Sequence, residues 1–223
     1  MKKSKKLIGL IVAVALIAAI GVGSTLAYLT SKSDTVTNTF TVGKFPDDAL
    51  KIWEHAATQQ GTDGNYVAGT AEVKGNAYTD ILPGATLAKD PFLRLAANSP
   101  TCYLFMKASG LKTLANSGVT VTASNFSSVA GTGVYWLALS TAPDGTALGD
   151  DTYYVYCPDG NGVPAVITKT ASITTTEPLF TQLTASATSL TAGNLNSLLF
   201  SGCAVQVTST VSYTTAYSSA IFN

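Results

Sequence analysis

The chain has 223 residues, with 13 basic and 13 acidic side chains and a single histidine. It carries no net charge and no clustered basic footprint, which argues against a nucleic-acid binder. Charged residues are 12% of the chain, about half the usual share, and Ser and Thr take their place. Such a surface repels other copies weakly and permits self-assembly.

The N-terminus reads as a targeting segment. Lys2, Lys3, Lys5 and Lys6 precede an apolar run from Leu7 to Gly23, and Thr25-Leu26-Ala27 supplies small residues at the exit. Residues 1–27 therefore read as a secretory signal peptide cut between Ala27 and Tyr28. The alternative is an uncleaved anchor, for which the apolar run sits at the lower limit of a membrane span. Cleavage leaves 196 of the 223 residues and removes four lysines, for a net charge of −4. That length suits one domain with a sizeable core and leaves no stable membrane anchor. Residues 28–45 follow as an N-terminal strand. Val36, Asn38, Phe40 and Val42 fall on one face and Thr37, Thr39 and Thr41 on the other, the period of a half-buried strand, before Gly43 punctuates it. A strand directly behind a cleavage site can pair within its own domain or reach a neighbour.

The runs T-L-A-Y-L-T at 25–30 and N-T-F-T-V-G-K at 38–44 resemble the secreted TasA and camelysin family of Gram-positive bacteria. The resemblance implies export through a SipW-like signal peptidase, a place in the extracellular matrix or at the cell surface, and assembly into biofilm fibres. It also implies a donor strand. Val36, Asn38, Phe40 and Val42 would complete the sheet of the next subunit in a head-to-tail contact, with other matrix components as further partners.

Residues 46–223 form the expected β-sandwich domain. Leu50 to Ala56 fits a strand or a helix, and its shortness favours a strand. Thr58 to Asp80 is rich in Gly and Asn and reads as an exposed loop, long enough to hide a short hairpin. Leu82-Pro83-Gly84 fits a type II turn with Gly at positive φ. The pattern L-P-G…K-D-P, ending at Lys89-Asp90-Pro91, recurs in the family before a central strand, here Cys102 to Ala108, which is apolar on both faces. Val119 to Ala123 alternates as a strand. Gly133–Ser140 and Thr152–Cys157 read as a hairpin joined by a long loop. Ala165 to Thr168 is a possible strand. Pro178-Leu179-Phe180 matches the family's P-L-F and opens a strand through Ala185. Cys203 to Tyr213 is the cleanest alternation of all, and the last residues, 215–223, close as a short helix or fray. Strands without helical crossovers predict an all-β antiparallel sandwich, and the resemblance sharpens this to a jelly-roll-like one. No second apolar span or LPxTG-like sorting motif is present, so no covalent tie to membrane or wall is expected.

Cys102, Cys157 and Cys203 are odd in number, so at least one stays free or pairs between chains. Of the intrachain pairs Cys102 with Cys203 is favoured; buried unpaired thiols are the alternative. A catalytic reading finds little support. A zinc protease needs three protein ligands and a carboxylate base, whereas His55 is the only imidazole and Glu54 beside it points to the opposite face of a strand. There is no H-E-x-x-H and no G-x-S-x-G. Asp47-Asp48 and Asp150-Asp151 follow no EF-hand pattern and read as solvated acids. No catalytic residue, metal or cofactor is expected. The function that fits is a secreted structural protein of matrix fibres. The rivals are a monomeric secreted binding module, adhesin or accessory matrix protein, and, with less support, a camelysin-type metallopeptidase.

Overall fold

The computed structural model describes residues 45–46, 48–188, 190, 198–208 and 210–222. In chain order the elements are β1 (Leu50–Gln60), β2 (Asn65–Val73), β3 (Thr86–Ala88), β4 (Phe92–Leu95), β5 (Cys102–Ser109), α1 (Leu111–Asn116), β6 (Val119–Ser124), β7 (Phe126–Ser127), β8 (Trp136–Leu139), β9 (Asp151–Tyr156), β10 (Thr174–Thr175), β11 (Phe180–Ala185), β12 (Leu199–Gln206) and α2 (Tyr213–Tyr217). The chain is all-β, with two short helices among the described residues. One sheet runs β10-β4-β1-β2-β3-β11-β6 and the other β12-β5-β9-β8-β7. The ladders are antiparallel except at two places. β2 meets β3 in parallel through Tyr66 and Leu87, and β7 runs parallel to β8, so a purely antiparallel sandwich was too simple an expectation.

The two sheets share one core. Leu87, Leu93 and Leu183 come from the first sheet, Leu104, Met106 and Trp136 from the second. Each such side chain contributes roughly 1.5–3 kcal/mol on full burial. β5 is apolar on both faces for a reason the core alone does not supply. Tyr103 and Phe105 point away from it into a second cluster with Leu137, Tyr153 and Val155, which Ala216, Tyr217 and Ala220 of the C-terminal segment cover. Tyr217 lies 5.4 Å from the Phe105 ring and donates through its hydroxyl to the Thr141 carbonyl at 2.7 Å. Opposite, β12 comes so close to the facing sheet that a Cβ on Gly202 would meet Leu93 Cδ2 at 2.5 Å, which explains glycine in mid-strand.

Several sequence expectations change here. Most of the segment 58–80 is not exposed loop but the hairpin its length allowed: β1 continues to Gln60 and pairs with β2 across the turn 61–64, where Gly61 and Gly64 take positive φ. The strand expected over Cys203 to Tyr213 begins earlier and ends at Gln206; Ser212 instead caps α2, its Oγ accepting from the Thr215 N–H at 3.3 Å. Ile167 makes only an isolated bridge to Cys102. The turn at Leu82-Pro83-Gly84 is as expected, with Gly84 at φ 86° and the Ala85 N–H donating to Leu82 O at 3.0 Å. Among the described residues no helix is long and apolar enough to cross a membrane.

Candidate functional site

β1 changes partners part-way along its length. Leu50 to Trp53 pair with β4, and from Glu54 onward the strand pairs with β2, with a register shift between His55 and Ala57. A bulge of this kind strands backbone groups that a regular ladder would satisfy. Two side chains take them up. Asn76 accepts from the Ala57 N–H at 2.7 Å and donates to His55 O at 2.8 Å. Asp90 accepts from the His55 N–H at 2.8 Å, and its other oxygen lies 2.5 Å from His55 Nδ1.

Strand alternation turns Glu54 the other way, beside Leu50 and Ile52 and toward the core. There its Oε2 meets Lys89 Nζ. Glu54 is 3% and Lys89 7% exposed. The ammonium also lies 5.1 Å from the Phe200 ring centroid, while Glu54 Oε1 is buried without a hydrogen-bond partner among the described residues. The Tyr78 hydroxyl donates to Ala88 O at 2.5 Å. Burial first, and then the nearby Glu54 and Asp90 charges, push that phenol well above its ordinary range, so it remains a fixed donor. The consecutive residues Lys89-Asp90 thus grip the consecutive residues Glu54-His55.

Two cavities adjoin this cluster. One, of about 180 Å³, is lined by Ile52, Glu54, Asn76, Lys89 and Phe200. The other, of about 520 Å³, is mainly apolar, with Ile81, Leu87, Leu114, Val119, Leu183 and Leu199 in its wall. It lies between β6 and β12, each the last strand of its sheet.

The chain matches no family model, no curated protein and no solved structure. The site is therefore read from its own chemistry. A half-buried His55 held by Asp90 is an oriented imidazole, yet among the described residues no hydroxyl or thiol is hydrogen-bonded to it. No group of three or more His, Cys, Asp or Glu there could hold a metal ion. The work these residues visibly do is to fix the β1 bulge and bridge it to the β3–β4 connection.

Ala27, Tyr28, Val36, Asn38, Phe40 and Val42 lie outside the described residues, as does Asp47. Cys102 and Cys203 do not pair. Cys102 packs among the shared core and Cys203 against the outer cluster, on opposite faces of the β5–β12 ladder, and all three cysteines are free thiols. Burial pushes the Cys102 thiol up to about 12 and the Cys157 thiol to about 11, and raises Cys203 as well. Because the thiolate is the reactive form, a disulfide reagent such as DTNB at neutral pH should react slowly with the folded chain and titrate three thiols once it is denatured. Fewer than three would restore a disulfide. Asp150 and Asp151 are not idle acids either. Asp150 caps α1 by accepting from the Thr113 N–H and Oγ1 at 3.0 and 2.8 Å. Asp151 accepts from Ser109 Oγ at 2.5 Å and from Lys107 Nζ at 2.9 Å. Sequence reasoning missed the Glu54–Lys89 pair. Both residues were visible, but nothing local marks partners 35 positions apart.

Proposed function

We propose that this chain is a secreted structural protein of Gram-positive biofilm matrix, with a jelly-roll-like sandwich that assembles head-to-tail into extracellular fibres. On this reading residues 1–27 are removed by a SipW-like peptidase and the freed segment 28–43 donates a strand to the next copy. The observation that carries it is the juxtaposition of β12 and the 520 Å³ cavity. Among the described residues β12 pairs only with β5, so its outer edge presents backbone donors and acceptors to an incoming strand. A strand laid there turns alternate side chains toward the cavity wall formed by Leu87, Leu183 and Leu199. Val36, Phe40 and Val42 have the spacing and character to fill it. The low charge content supports the same reading, since few like charges oppose the approach of copies.

Negative-stain microscopy of the chain purified from culture medium is the test. The expected image is filaments one subunit wide from a protein whose N-terminal residue is Tyr28. Monodisperse particles at concentrations well above those in the medium would favour the monomeric binding module.

A further inference from the structure

We propose that Lys89 and Glu54 are joined by an intramolecular isopeptide bond, Nζ to Cδ, formed by the folded chain itself. The inference goes beyond the fibre reading and does not depend on it. Its basis is the meeting of an amine and a carboxyl group inside the protein core, each more than nine-tenths buried and in direct contact.

A charged pair removed from water retains a large desolvation cost, and neutralisation by proton transfer is one way to relieve it. Transfer of one proton from the Lys89 ammonium to Glu54 Oε2 gives an amine and a carboxylic acid, the two species that condense. Nζ then attacks Cδ. The Cδ–Nζ bond forms, the Cδ–Oε2 bond breaks, and a second proton from nitrogen leaves with Oε2 as water. One hydrogen stays on the amide nitrogen and Oε1 becomes the amide oxygen. Nothing is oxidised or reduced, and no co-reactant is consumed.

The fold supplies what an unassisted condensation lacks. Lys89 is anchored on one side by its N–H donating to Thr181 O at 3.2 Å and on the other by Asp90, which is hydrogen-bonded to the backbone of His55, the residue after Glu54. The Phe200 ring lies 5.1 Å from Lys89 Nζ and limits where the side chain can sit. Groups oriented this way reach effective concentrations of about 10⁵–10⁸ M, which moves an equilibrium that favours hydrolysis in bulk water toward the amide. Oε1, which has no partner among the described residues as a carboxylate oxygen, is the atom the reaction retains. The 180 Å³ cavity lined by both residues gives the released water a place to go.

The experiment is a tryptic digest of the full chain, shown by circular dichroism to be folded before digestion, and read by tandem mass spectrometry. Glu54 lies in peptide 52–74 and Lys89 in peptide 75–94, because a linked Lys89 resists cleavage. The expected species is these two peptides joined, lighter than their sum by one water, with fragment ions placing the link at Glu54 and Lys89. Lys89→Met should give both peptides unlinked at their sequence masses. Linear 52–74 together with cleavage after Lys89 in the wild-type digest would overturn the proposal. So would a linear 52–74 lighter by one water, which marks a succinimide at Asp63-Gly64 instead.

Discussion

Trp136→Ala should lower the unfolding free energy by about 3–5 kcal/mol, the range for deleting a large aromatic side chain from a packed core. Trp136 is fully buried. It faces Tyr156 across the β8–β9 ladder, with ring centroids 4.9 Å apart. Its indole N–H donates to Glu177 O at 2.9 Å, and Tyr156 in turn accepts from the Glu177 N–H at 3.2 Å. One residue thus ties the second sheet to the segment leading into β11 in the first. Truncation leaves a cavity and removes the hydrogen bond to Glu177 O, a loss of about 0.5–1.5 kcal/mol on its own. A domain of this size has about 5–15 kcal/mol in hand, so the variant should unfold at a much lower urea concentration than wild type with an unchanged slope. Trp136→Phe separates the two contributions. It keeps an aromatic ring against Tyr156 and loses the hydrogen bond, and should cost less than half as much. Equal losses for the two variants would mean that packing against Tyr156 contributes little.

Phe40→Asp should have the second large effect, and under the fibre proposal it falls on assembly rather than on folding. If residues 28–43 complete another copy, the variant chain should keep the wild-type circular dichroism spectrum and unfolding midpoint and form no filaments. Burial of Val36, Phe40 and Val42 is worth about 1.5–3 kcal/mol each, and a carboxylate at the central position replaces one of these gains with a desolvation penalty. A synthetic peptide of residues 28–43 added to wild type should stop filament growth by occupying the acceptor edge. Loss of folding in Phe40→Asp would assign the strand to its own domain; normal filaments would place the fibre contact elsewhere.

The sequence made the strands easier to find than their ends. β5, β6, the β8–β9 hairpin and β11 lie where apolar alternation or a continuous apolar run sits between turn residues. β2 was legible only through the length of the segment 58–80, which allowed a hidden hairpin; most of its side chains are exposed on both faces, so no apolar period marks its bounds. The Thr-Ser alternation after Gln206 looked like more strand, but Ser212 meets its hydrogen-bonding needs as a helix cap, and the short helix expected within 215–223 begins earlier, at Tyr213. The double-sided apolarity of β5 was legible, while its cause, a C-terminal segment folded over the outer face, was not. The candidate site was least legible. Glu54, His55, Lys89 and Asp90 stood in plain view as two charged pairs in mostly apolar surroundings, yet their meeting depends on a bulge and a strand connection that bring positions 35 apart together.

Whether the N-terminal segment of one copy sits against β12 of another is best tested by isotope-mixed crosslinking. Chains carrying a photoreactive phenylalanine analogue at Phe40 are prepared unlabelled and uniformly labelled with ¹⁵N, mixed as monomers, assembled and irradiated. The crosslinked peptides are then read by mass spectrometry. Donation between copies predicts crosslinks from residue 40 to the cavity wall at Leu87, Leu183 or Leu199, with half of the pairs mixed in label. Crosslinks to the same wall that are never mixed would show the strand folded into its own domain and would contradict the account.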